Sequence, residues 1–202
     1  PGRTFEQALQ ELRSDKSHSF STREEIVAAA SAAVKRATDA ASSVFSLLPN
    51  HECIVQPIDA HMEKAAPAAY YLPPAPDGSR PGTYFINTYE PESRPRHETE
   101  VVAFHEAVPG HHLQIALAQQ LVGVPEFQRH AASTAYVEGW ALYTESLAQE
   151  MGLYSGPWDL LGMYGCDAWR AARLVVDTGL HALGWSRQRA IDFMSANTAA
   201  SL

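Results

Sequence analysis

The stretch His105-Glu106-Ala107-Val108-Pro109-Gly110-His111-His112-Leu113 decides how this chain is read, because it sets three histidines and a carboxylate around a helix-breaking dipeptide. In the ordinary His-Glu-x-x-His arrangement the two histidines stand about 40° apart round a helix and ~6 Å apart along it, so both rings reach one metal ion. Here the fourth position after His105 is Pro109, and the next histidines come six and seven residues on. On an unbroken helix His111 would sit roughly 120° off the His105 face, while His112 would share that face ~10.5 Å further along. Pro109 offers no N–H to the carbonyl of His105 and its ring crowds that group, and Gly110 tolerates unusual backbone angles. The spacing therefore predicts a two-residue bulge that returns His111 to the ligand position, with His112 as the competing second ligand.

Zinc sites of hydrolases use three protein donors and keep a fourth position open, so a third donor is required downstream. Glu138 is the candidate, in the helical pattern Ala135-Tyr136-Val137-Glu138-Gly139-Trp140-Ala141-Leu142-Tyr143-Thr144-Glu145. Glu145, seven residues later on the same face, is placed to orient a ligand imidazole through its other ring nitrogen. Glu106 stands next to His105 but points elsewhere, which suits a general base acting on metal-activated water. The expected cofactor is one Zn2+, held by His105, His111 and Glu138.

Outward from this core, Ser21 followed by Glu24 reads as a capping box opening a long helix from Thr22 to Leu48, closed by Pro49-Asn50. Cys53 to Ile58 reads as a short strand, residues 72–82 as a proline-rich loop, and Thr83 to Tyr89 as a second strand. From His97 onward helices dominate: one enters the motif, one runs from Pro125 to Met151, one from Pro157 to Leu183, and a last one, capped by Ser186, runs to Asn197. The fold class expected is mainly α with a small β-sheet. It is one domain or fragment over 1–202, divided into a helical part (1–50), a sheet and loops (51–95) and a helical metal-site core (96–202).

The run HEAVPGHHLQ followed by YVEGWALYTE resembles a large, mostly bacterial family of uncharacterised proteins regarded as metallopeptidases of the glutamate-zincin type (gluzincins). It is distantly similar to the thimet-oligopeptidase and carboxypeptidase Taq families, whose HEFGHAL is followed by a ligand Glu in a phrase such as FVE. Against those phrases Gly110-His111-His112-Leu113 matches Gly-His-x-Leu and Tyr136-Val137-Glu138 matches the second phrase, which favours His111 over His112. A related stretch of the dipeptidyl-peptidase III family also tolerates an insertion before its Gly-His. The resemblance implies a zincin-like catalytic domain belonging to a longer helical protein, and peptide-bond hydrolysis as its activity. The alternatives are a zinc amidase or deacylase acting on a small metabolite, and a metal-free scaffold or binding module.

Other residues carry weaker signals. Arg173, Asp177 and His181 form an i, i+4, i+8 series in which Arg173 would hold a substrate carboxylate or brace the helix against Asp177. Tyr164 or His181 would stabilise a developing oxyanion. The strand through Tyr84 and Asn87 would bind an extended peptide along the site or serve as a structural edge. Trp140, Trp158, Trp169 and Trp185 read as core residues.

The formal charge of −8 excludes the basic footprint that nucleic acid or anionic membrane demands, and no segment reaches the ~18 apolar residues of a membrane span. The partner expected is thus a peptide or small amide. Cys53 and Cys166 are too isolated for a zinc knuckle, and one disulfide between them is the remaining option. The cytoplasm is favoured, with export the alternative if a signal segment has been removed.

Overall fold

The computed structural model describes residues 16–130 and 133–198, together with Gln7. The fold is mainly helical with one three-stranded sheet. Helix α1 (Arg23–Ala41) buries Ile26, Ala30, Ala33, Val34, Ala37 and Ala41, a single stripe at helical spacing. Its small alanines let it lie close to α2 (Thr99–Glu106), whose Ala103 and Phe104 are fully buried in the same core. On the other flank of α1 stands strand β1 (Cys53–Pro57). Strands β2 (Ala69–Leu72) and β3 (Gly82–Ile86) complete the sheet in the order β1-β3-β2, with β1 parallel and β2 antiparallel to β3.

After α2 come α3 (His111–Gln119), the short α4 (Glu126–His130), α5 (Thr134–Glu150), the long α6 (Pro157–His181) and α7 (Arg187–Asn197). Pro157 opens α6 at a position where its missing N–H costs nothing. Gly162 fits α6 against the chain entering α2, because a Cβ there would overlap the carbonyl of His97. None of the described helices is long and apolar enough to cross a membrane.

Several expectations need correction. The first helix is capped by Thr22, whose hydroxyl accepts from the Glu25 N–H, while the Glu25 carboxylate accepts from Ser21 N–H, so the capping box is shifted by one residue. It stops at Ala41 rather than Leu48, where the Ser43 hydroxyl donates to the Ala40 carbonyl, a local bond that competes with helix continuation. The segment expected as one helix from Pro125 to Met151 is two, α4 and α5, with Ser133 extended before the second; residues 131 and 132 lie outside the described residues, as do most of the first fifteen of the helical part expected over 1–50. The strand expected to reach Tyr89 ends at Ile86 and is the centre of the sheet, paired on both sides, so it has no edge to offer a peptide. Both cysteines are free thiols.

Candidate metal centre

The helix that carries His105 does not bulge; it breaks. Helix α2 ends at Glu106, residues 107–110 form a turn containing a cis Val108–Pro109 peptide, and α3 restarts at His111. Gly110 is required there, since a Cβ would overlap the carbonyl oxygens of Phe104 and His105. The turn is pinned at two points: the His112 N–H donates to the Ala107 carbonyl at 3.0 Å, and the Trp140 indole donates to the Pro109 carbonyl at 3.0 Å. Val108 and Pro109 are buried.

The break brings His105, His111 and Glu138 together, with one donor atom from each lying within 4.8 Å of the others. Nε2 of His105 is 3.5 Å from one Glu138 oxygen, and Nε2 of His111 is 3.6 Å from the other. The two rings meet edge to face with centroids 4.7 Å apart. On its far side His105 donates from Nδ1 to the buried Glu145 carboxylate at 2.8 Å, which leaves the Nε2 lone pair directed at the cluster. Glu138 and Glu145, on one face of α5, thus flank the same imidazole on the sides of its two nitrogens. Arg170 of α6 clamps Glu145 with both terminal nitrogens, one of them at 2.9 Å.

Electrostatics divide the group. Burial holds the His111 imidazole neutral, pushing its pKa down to about 4. Burial also opposes the charged form of His105, but the Glu145 hydrogen bond and the charges of Glu106 and Glu145 outweigh it and leave that pKa raised. Glu106 is buried beside the cluster, and burial, reinforced by the charges of Glu138 and Glu145, pushes its carboxyl up to about 7.

His112 turns the other way. Its Nδ1 accepts from the Tyr71 hydroxyl at 2.8 Å and its Nε2 donates to the His51 carbonyl at 2.9 Å, so neither nitrogen is open to a metal. Gly82 makes room for this pair, because a Cβ there would overlap the His112 ring and the Tyr71 hydroxyl. His112 therefore ties the restarted helix to the sheet and is not a ligand.

A cavity of about 860 Å³ opens from His105, Glu106 and Glu138 along α6. Tyr164 and Arg173 line it. His181 and Asp177 do not; both are exposed and face one another at 3.7 Å. The oxyanion role expected of His181 thus has no geometry behind it. Tyr84 and Asn87 are buried, so neither reaches a substrate: Asn87 instead donates to the Glu63 carbonyl at 2.7 Å and shapes the loop before β2. Trp169 is a cavity wall, Trp158 is half exposed, and Trp140 and Trp185 are only half-buried, so none of the four lies in the buried core expected of them. The sequence groups Arg170 with Tyr164, Arg173, Asp177 and His181 on one helical face but gives it no role, and it does not single out Tyr71. The i, i+4 steps of α6 put Arg170 on a face with nothing to name its partner, and Tyr71 lies on a strand too short to read.

The fold and this cluster define a mainly helical protein with a two-histidine, one-carboxylate candidate metal site at a broken helix. The chain belongs to the family described as bacterial protein of unknown function DUF885, whose pattern matches residues 2–202. Among solved structures it is similar to one from Colwellia psychrerythraea described as a "putative lipoprotein", at 36% identity and a TM-score of 0.91, covering 97% of this chain and 34% of that one. The chain thus spans about a third of that relative's length. No curated protein matches it.

Proposed function

We propose that this chain carries a zinc-dependent peptide hydrolase site. The observation that carries the reading is the convergence of His105 Nε2, His111 Nε2 and the Glu138 carboxylate within 4.8 Å, with His105 locked from behind by Glu145. Two neutral-capable imidazoles and one carboxylate are the donor set of zinc hydrolases, and the carboxylate behind the first imidazole fixes its tautomer. Zinc, when bound, lowers the pKa of a water molecule and polarises a substrate carbonyl.

The residues of the chain do the rest. Glu106 is buried beside the donors and lines the cavity with them, so it is placed to take a proton from the attacking water and later deliver it to the leaving nitrogen as the C–N bond breaks. The cavity along α6, at about 860 Å³, is roomier than a small amide metabolite needs, which favours a peptide. The description of the Colwellia relative supports an exported setting over a cytoplasmic one.

Metal analysis of protein purified without added zinc, paired with cleavage profiling on a peptide library before and after chelation, tests the reading. About one zinc per chain and chelator-sensitive cleavage are expected. Protein that stays metal-free in micromolar zinc, or cleavage indifferent to chelator, removes it.

A further inference from the structure

The cavity beside the donor cluster is lined by a cation that has no carboxylate partner among the described residues. Two guanidiniums line it, Arg170 and Arg173, on consecutive turns of α6. Arg170 is spent on Glu145. Arg173 has no hydrogen bond and no ion pair among the described residues. Its neighbours explain why. Asp177, one turn on, is turned toward His181 at 3.7 Å, and Glu98, which also lines the cavity, has its carboxyl raised by burial, with Arg94 and not Arg173 as the charge that opposes the rise.

Arg173 is exposed to solvent where it lines the cavity, and one aromatic ring backs it. Its guanidinium lies over the Trp169 ring, 4.6 Å from the centroid. Such stacking occupies the face of the planar group and leaves its N–H edge free, which is the edge that grips a carboxylate through two parallel hydrogen bonds. In a chain of net charge −8, an unpaired guanidinium lining the cavity beside the donor cluster is a feature that attracts an anion. Its location ties it to the chemistry: it lies ~4.5 Å of helix rise beyond Arg170, whose own partner Glu145 holds the His105 ring.

We infer that Arg173, backed by Trp169, is a carboxylate-binding subsite of this cavity, selecting peptides that present either a free C-terminal carboxylate or an acidic side chain. The inference rests on the peptide-hydrolase reading of the same cavity and names its substrate class. Recognition is by Arg173 and not by the metal, so it persists when the metal is removed.

The test is calorimetric binding of three matched peptides, Ala-Ala-Phe as free acid, Ala-Ala-Phe amide and Ala-Glu-Phe amide, to the full chain with zinc and after chelation. At least one carboxylate-bearing peptide is expected to bind about tenfold or more tightly than the plain amide in both states, and which one does so identifies the carboxylate selected. Arg173→Gln should erase that advantage, and Arg173→Lys should keep part of it, while binding of the plain amide stays unchanged. Equal or undetectable binding of all three peptides, an advantage that vanishes with the metal, or one that survives Arg173→Gln would overturn the inference. Cleavage of the same peptides is followed in parallel. Absence of cleavage removes the hydrolase reading alone, and the binding comparison still decides the subsite.

Discussion

Two consecutive histidines at the start of α3 meet opposite fates, and the contrast separates what a metal site needs from what a fold needs. His111 faces the cluster with Nε2 near Glu138, and its Nδ1 is buried with no partner. His112 faces the sheet with both nitrogens already bonded, to Tyr71 and to the His51 carbonyl. Both are buried, and burial pushes each pKa down to about 4, so neither desolvation nor charge distinguishes them. The difference is the count of open lone pairs. A step of about 100° round the helix is enough to send adjacent side chains to different neighbours.

That contrast can be broken from the metal side first. Glu106→Gln should lower turnover by about 10²–10⁴-fold while zinc content stays at the wild-type level; a variant of equal activity would show that the base lies elsewhere. Next, His111→Ala should strip zinc from the purified protein. His112→Ala should retain it and lose about 1–3 kcal/mol of stability in denaturant unfolding, because the Tyr71 hydroxyl and His51 carbonyl lose their partner. If the two variants exchanged these phenotypes, the assignment of His111 as ligand would fail.

Smaller effects sharpen the comparison. Arg170→Gln leaves Glu145 unclamped, and a roughly 10–100-fold weaker zinc affinity is expected from competition with a chromophoric chelator, with little change in fold. The smallest effect lies on the sheet side. Arg23 donates to both oxygens of Glu63, and that bond holds the Glu63 carboxyl below its ordinary value. Its contribution is therefore present above the ordinary carboxylate pKa and fades as pH falls through the lowered one. Arg23→Gln should shrink this acid-side loss in melting curves taken across pH, and zinc content should not respond.

How far the sequence carried depended on whether a local signal stood behind each feature. Helices α6 and α7 were readable because their ends are written in the chain: Pro157 at the start of one, Gly184 in the left-handed region between them, and the Ser186 hydroxyl accepting from Arg189 N–H. The placing of Glu138 and Glu145 on opposite sides of the His105 ring was readable from a seven-residue spacing on one helix. The turn at 107–110 was only half readable. Pro109 and Gly110 announce a disturbance, but whether the helix bulges or stops is decided by tertiary contacts, namely the Trp140 indole on the Pro109 carbonyl and Gly110 packed on the backbone before it. Strand β2 was missed because its four residues, Ala69–Leu72, carry too little alternation, and its place comes from pairing with β3. The fate of His112 was unreadable for the same reason, since both of its partners lie more than forty residues away.

The join between His111 and His112 has a consequence for motion. The two side chains leave adjacent Cα atoms, one toward the metal donors and the other toward Tyr71 of β2, so an ion held by the first restrains the anchor of the second. Metal occupancy should therefore be audible in the sheet: amide hydrogen exchange at Tyr71 and its β3 neighbours should slow on loading, with His112→Ala cutting that message while the ion remains bound.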